Sequence, residues 1–235
     1  MSQTPISTNI ITRESPLPKG WAYSVIRKFA MAVSGLVLVA FLFGHWAGNT
    51  VLLQGEVAFY EYYSWLQSHP LLHYSVWIAI SIALIFHLAV GPRHWLQNRR
   101  ARPIPYRKKT NQATNWAARS MMVSGTVLLL FIIVHIAQVR GWLNFSGSES
   151  LFQNLRSGFT HWPVLTLYLL GQLALAFHLY HGLWSQFQTL GIHHPRYNYL
   201  RRPLAVVIGV GIAVLNITLV LLNTEAVQNF LEKLT

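Results

Sequence analysis

Charged and polar residues gather in a few stretches of this chain, and between them lie five runs in which apolar residues hold nearly every position. A helix that crosses a bilayer needs roughly 20 mostly apolar residues, each adding about 1.5 Å. Spans are accordingly predicted at about 29–46, 71–90, 117–139, 163–187 and 203–222, the first with an amphipathic lead-in near Tyr23. Pro163 and Pro203 suit the first turn of a helix, where a missing N–H breaks no helical hydrogen bond. The expected fold class is all-α: an integral membrane bundle of five transmembrane helices with an internal two-helix repeat. Residues 1–22 would form an N-terminal segment, 23–225 the transmembrane bundle and 226–235 a C-terminal tail. Residues 1–20 are polar and no Ala-x-Ala site follows the first apolar run, so no cleavable signal peptide is expected.

The repeat is visible in the residues. Met31-Ala-Val-Ser-Gly35 is followed by His45, and Met121-Met-Val-Ser-Gly125 at the same interval by His135. Ala83-Leu-Ile-Phe-His87-Leu-Ala-Val-Gly91 is matched by Ala174-Leu-Ala-Phe-His178-Leu-Tyr-His-Gly182. Both matches lie about ninety residues apart, and a fixed offset is a strong organising signal. A histidine in an apolar span is costly and marks a candidate functional site. One such histidine is explained by hydrogen bonding between helices. Four, matched in depth and context, point to two bis-histidine haem sites, since imidazole is an axial ligand of haem iron and bundle cores hold cofactors between facing helices.

Depth sets the expected pairing. The first and third spans run the same way, and His45 and His135 lie far from the basic residues at their starts. The second and fourth run back, with His87 and His178 near their far ends. The expected pairs are His45 with His135 and His87 with His178, with irons on the order of 15 Å apart in depth. Gly35 and Gly125, with Ser34 and Ser124 beside them, would admit a flat macrocycle, or else serve ordinary small-residue helix packing.

Composition narrows the class. Hydrophobic residues make up 53% and charged residues 10% of the 235, which is unlike a soluble domain. The chain has no Cys, so it forms no internal disulfide, ligates no iron–sulfur cluster and attaches no c-type haem. A net charge of +12 would suggest nucleic acid in a soluble protein. Here the cations cluster in particular loops, which points instead to topology and to contact with acidic membrane lipid or protein, and not to nucleic acid. Arg13, Lys19, Arg27 and Lys28 lie before the first span. Arg93, Arg99, Arg100, Arg102, Arg107, Lys108 and Lys109 join the second to the third, where Arg119 follows. Arg196, Arg201 and Arg202 precede the fifth. The other connections hold Arg140, Arg156 and Lys233 beside Glu56, Glu61, Glu149, Glu225 and Glu232. The positive-inside bias therefore predicts a cytoplasmic N-terminus and an external C-terminus. The basic second loop is either a solvated topology signal or also a dock for a soluble partner.

Ser24-Val-Ile-Arg-Lys28, Phe43-Gly-His-Trp-Ala-Gly-Asn49, Phe86-His87-Leu, Arg119-Ser-Met-Met-Val-Ser-Gly125 and Phe177-His-Leu-Tyr-His-Gly-Leu-Trp184 occur in an order and spacing that carry a resemblance. Over roughly residues 20–225 the chain resembles the dihaem cytochrome b membrane anchors of succinate dehydrogenases and fumarate reductases, the complex II family. The resemblance implies a single-chain five-helix anchor in the cytoplasmic membrane with two b haems on His45, His87, His135 and His178. It implies a flavoprotein partner where succinate and fumarate interconvert, an iron–sulfur partner on the cytoplasmic side, and a membrane quinone, often menaquinone in single-chain anchors. A higher oligomer of the complex is compatible with it.

No flavin- or dicarboxylate-binding pattern is present, so succinate chemistry would belong to another chain and this one would contribute the quinone reaction. Ser24, Arg27, Arg93 and Arg119 could hold haem propionates or a quinone oxygen, or could be snorkelling anchors. His181, whose repeat equivalent is Val90, is expected to serve a propionate, a quinone or packing, and not iron. Glu56, Glu61 and His73 could handle quinone protons or could simply be solvated; His69, His94, His161, His193 and His194 are expected at interfaces. Competing readings are the cytochrome b subunit of a hydrogenase or formate dehydrogenase, an ascorbate-type transmembrane reductase, and a cofactor-free transporter with histidine relays.

Overall fold

The computed structural model describes residues 21–100, 116–192 and 194–233. The N-terminal Arg13 and Lys19, the loop cations Arg102, Arg107, Lys108 and Lys109, His193 and the side chain of Ser24 lie outside the described residues. Every regular element described is helical: α1 (Trp21–Asn49), α2 (Glu56–Ser68), α3 (Pro70–Arg100), α4 (Trp116–Val139), α5 (Leu151–Thr160), α6 (Trp162–Thr189), α7 (Arg201–Leu222) and α8 (Glu225–Glu232). Five helices are long and apolar enough to cross a membrane, namely α1, α3, α4, α6 and α7.

The bundle is built from two similar halves. α1 packs on α3 and α4 on α6, while α7 lies along α6 and also touches α1. Leu175, Leu179 and Leu183 fall one turn apart on α6 and bury with Val39 of α1 and Ala205 and Ile212 of α7. The α6–α7 seam is close. A Cβ at Gly209 would stand 3.0 Å from the Tyr180 nitrogen and 3.2 Å from the Ala176 oxygen, so a larger residue would press against the α6 backbone. Asn216 Nδ2 donates to Gln172 Oε1 across the same seam at 3.0 Å. Away from the seams the helices expose large apolar side chains. Ile78, Ile82 and Ile85 of α3 and Val207, Val210 and Val214 of α7 form stripes at helical spacing, a surface suited to lipid and not to water.

Three features differ from the sequence expectation. First, the second span continues to Arg100 through Pro92. Pro92 lacks the N–H that would meet Leu88; beside it, the Arg93 guanidinium donates to the Ala89 carbonyl at 2.7 Å. Second, α2 and α5 occupy equivalent connections that read as loops because their apolar residues are few and interrupted by Glu, Tyr, Asn and Gln. Ser150 caps α5 by accepting from the Gln153 N–H at 3.2 Å. Phe152, Leu155 and Phe159 of α5 are buried against Leu219 and Val220 of α7 and Val164 and Tyr168 of α6, closing that end of the bundle. Third, most of the expected C-terminal tail is the helix α8, which packs against α5 and α7.

Candidate functional site

Two histidine pairs lie inside the bundle, each shared between the halves. His45 of α1 faces His135 of α4 with ring centroids 5.6 Å apart and planes at 82°. His87 of α3 faces His178 of α6 at 5.9 Å and 54°. The axial distance between the pairs follows from the helices. His87 lies against Ser34 and His178 against Ser124. Ser34 precedes His45, and Ser124 precedes His135, by eleven residues, so the pairs are separated by ~16 Å along the bundle.

Each half props its rings in the same way. Phe41 stacks on His45 one turn later, with centroids 5.1 Å apart and planes 24° apart. Phe131 stacks on His135 at 5.6 Å and 22°. At the second pair the glycines serve the rings. A Cβ at Gly35 would stand 3.6 Å from His87 Cε1, and one at Gly125 3.5 Å from His178 Cε1. These are ordinary contact distances, so there is room for one carbon and little more. The small residues therefore seat imidazoles, a role that lies between the two expected for them.

The first pair has a longer polar support on the α4 side. His135 Nδ1 lies 3.0 Å from the Tyr168 hydroxyl, whose proton goes to Gln138 Oε1 at 2.8 Å. With its proton committed, the Tyr168 oxygen accepts from His135 Nδ1–H, leaving the Nε2 lone pair of His135 unclaimed. Gln138 has no exposed surface. Its amide donates to the Asn154 carbonyl at 3.1 Å, and Asn154 Nδ2 returns a bond to the Gln138 carbonyl at 3.0 Å. Thus α5 anchors the side chain that orients Tyr168. His45 is held differently: Asn49 Nδ2 donates to its Nε2 at 3.1 Å.

These donor sets can be tested against a haem. Two imidazole–metal bonds of about 2 Å, plus the ring half-widths, place centroids roughly 6 Å apart, close to both observed separations. Among the described residues no group of three or more His or Glu forms a metal cage. A metal held by either pair would therefore take its remaining donors from elsewhere, as iron does in a porphyrin. The separation of both pairs fits a metal between two imidazoles, with His45 Nε2 engaged by Asn49.

The remaining expected site residues are dispersed. Arg93 is folded onto its own helix, and Arg119 lies over Trp116 at 4.9 Å. Arg27 is half-buried near the start of α1. His181 lies beside Trp184, with ring centroids 6.0 Å apart, and its buried Nδ1 makes no hydrogen bond among the described residues. His69 sits on Trp65 and Ser68, His73 beside Tyr74 and Trp77, and His161 beside Phe145. Glu56 accepts from Ser150 Oγ at 2.6 Å and, with Glu61, lines a shallow groove on α2. Sequence reasoning missed Tyr168, Gln138, the Asn49–His45 contact and Arg201, whose Nε and one Nη are buried without a hydrogen-bond partner among the described residues. Phe41 and Phe131 were available to it, as they repeat one turn before each histidine.

The chain is 26% identical over 157 residues, 65% of its length, to the succinate dehydrogenase cytochrome b558 subunit of Bacillus subtilis (strain 168), of which the match covers 72%. No family model matches the chain. No solved structure matches it.

Proposed function

We propose that this chain is the membrane anchor and electron-transfer subunit of a succinate:quinone oxidoreductase in the cytoplasmic membrane. It binds two b haems, one between His45 and His135 and one between His87 and His178. The observation that carries the reading is the pair of facing imidazoles at each of two depths, ~16 Å apart, in a bundle of membrane-length helices. The similarity to a cytochrome b subunit of succinate dehydrogenase supports the choice of complex. When bound, the two haems supply a one-electron relay between an iron–sulfur partner subunit and membrane quinone, with menaquinone the proposed species.

The chain's own residues do the holding. The four imidazoles would hold the two irons, and Phe41 and Phe131 limit ring rotation at the first pair. The cations at the N-terminal ends of α1, α4 and α7 support a cytoplasmic N-terminus by the positive-inside bias. The second pair, nearer that end, faces the iron–sulfur subunit, which brings the flavoprotein that converts succinate. Arg201 and His181, with buried nitrogens lacking partners among the described residues, are suited to receive propionates, ahead of Arg93 and Arg119, which are engaged on their own helices. Purification in mild detergent tests the reading. Co-purifying flavoprotein and iron–sulfur subunits and a reduced b-type absorption spectrum are expected; a colourless preparation, or hydrogenase or formate dehydrogenase subunits instead, would overturn it.

A further inference from the structure

We propose that Ser34 and Ser124 are positioning residues: a repeated pair of hydroxyl acceptors that hold His87 and His178 as Nδ1–H tautomers and so reserve both Nε2 atoms for iron. The inference rests on reading the second pair as haem ligands, and the test below separates the two.

Each serine acts on the neighbouring helix of its own half, Ser34 of α1 on His87 of α3 and Ser124 of α4 on His178 of α6. A serine hydroxyl has one proton to give and lone pairs to receive with. Ser34 Oγ donates that proton to the Met31 carbonyl at 3.0 Å, and Ser124 Oγ to the Met121 carbonyl at 3.1 Å, both bonds lying within a helical turn. Each oxygen is thereby left an acceptor. It faces Nδ1 of the histidine, at 3.4 Å for Ser34 to His87 and 3.3 Å for Ser124 to His178. Only a protonated Nδ1 makes that contact favourable, and a neutral imidazole protonated there has its lone pair on Nε2. The adjacent Gly35 and Gly125 let the rings come close enough to make these contacts.

The arrangement recurs in both halves with the same atoms in the same roles, which packing of small residues alone does not require. An acceptor behind a ligating imidazole fixes its tautomer and orientation and raises its basicity. A more basic ligand favours the ferric state, so each serine should lower the potential of the haem at this pair.

Redox titration of the intact membrane complex tests this with Ser34→Ala, Ser124→Ala and the corresponding Ser→Thr variants. Threonine keeps a hydroxyl that can bond the preceding turn. In each Ala variant the haem at the second pair should shift to more positive potential, by up to about tenfold in its oxidation equilibrium, or ~59 mV. The haem at the first pair should stay where it was, and the Thr variants should return toward the wild-type value. Selective loss of the second haem in the Ala variants, with retention in the Thr variants, would support the same conclusion. Ala variants with both haems and unchanged potentials would overturn the inference and leave the haem reading standing. Thr variants as impaired as Ala would also overturn it, by showing that only side-chain size matters. A wild-type chain without haem would instead remove the reading beneath it.

Discussion

Replacing Gln138 by leucine should loosen the haem proposed at the first pair while leaving the bundle folded. The variant loses three hydrogen bonds, one received from Tyr168 and two given to the Asn154 and Leu155 carbonyls. At a net value of about 0.6–1 kcal/mol each these come to ~2–3 kcal/mol. Burying a leucine side chain recovers about 1.5 kcal/mol, so roughly 1 kcal/mol of bundle stability is lost. The two carbonyls belong to helix α5 and retain helical partners, so the Tyr168 proton is the only group left without an acceptor. Leaving it unmet would cost about 1–3 kcal/mol. Turning it toward His135 Nδ1, 3.0 Å away, avoids that cost. The His135 proton then moves to Nε2, the nitrogen assigned to iron in the proposed site. Outer-sphere changes of this kind typically weaken a metal site 10–100-fold, about 1.4–2.7 kcal/mol, which exceeds the loss in the bundle. The assay is transfer of each haem from the purified complex to excess haem-scavenging apoprotein, with the two haems distinguished by their potentials. Gln138→Leu should release the first-pair haem 10–100-fold more readily. Adding Tyr168→Phe removes the misdirected donor and should restore part of the retention. A first-pair haem unaffected by Gln138→Leu, or a double variant looser than the single one, would show that Gln138 does not govern the His135 tautomer.

Three further outcomes are expected. Asn49→Ala should keep both haems and tighten the first severalfold, since it frees His45 Nε2; haem loss on spectral titration would show that Asn49 supports the ligand. Gly125→Ala should keep both haems, because its Cβ meets His178 at an ordinary 3.5 Å, whereas Gly125→Val should expel the second haem; equal haem contents would contradict the ring-seat role. His181→Ala should retain both irons, measured as bound haem per chain, and disturb only the environment of one.

The fold was legible where physics leaves few choices. A bilayer demands about 20 apolar residues in a row, so the five spans stand out, and the duplicated Met-x-Val-Ser-Gly and Phe-His-Leu runs expose the two halves. Span ends were less legible. Pro92 lies inside α3, although a proline in a soluble helix would usually mark a boundary. The helices α2, α5 and α8 were hidden because each is short and gains its stability by lying on the ends of longer ones. In the site, the facing of His45 with His135 and of His87 with His178 accords with depth counted along the helices. Tyr168, Gln138 and Asn154 did not show, because their link depends on α5 packing against α4 and α6, and no local pattern marks it. The Asn49 contact was also out of reach: a residue one turn from a histidine is on the right face, but only coordinates say that it holds Nε2.

The proposed assignment of one haem to each pair of histidines is tested by the pyridine haemochrome content of the assembled complex in the wild type and in paired substitutions. Two haems per chain are expected in the wild type. One should remain in His45→Ala, in His135→Ala and in their double variant, because those residues share a site. None should remain in the double variant of His45→Ala with His87→Ala. A wild type with fewer than two haems, or a His45→Ala/His135→Ala variant that has lost both, would contradict the assignment.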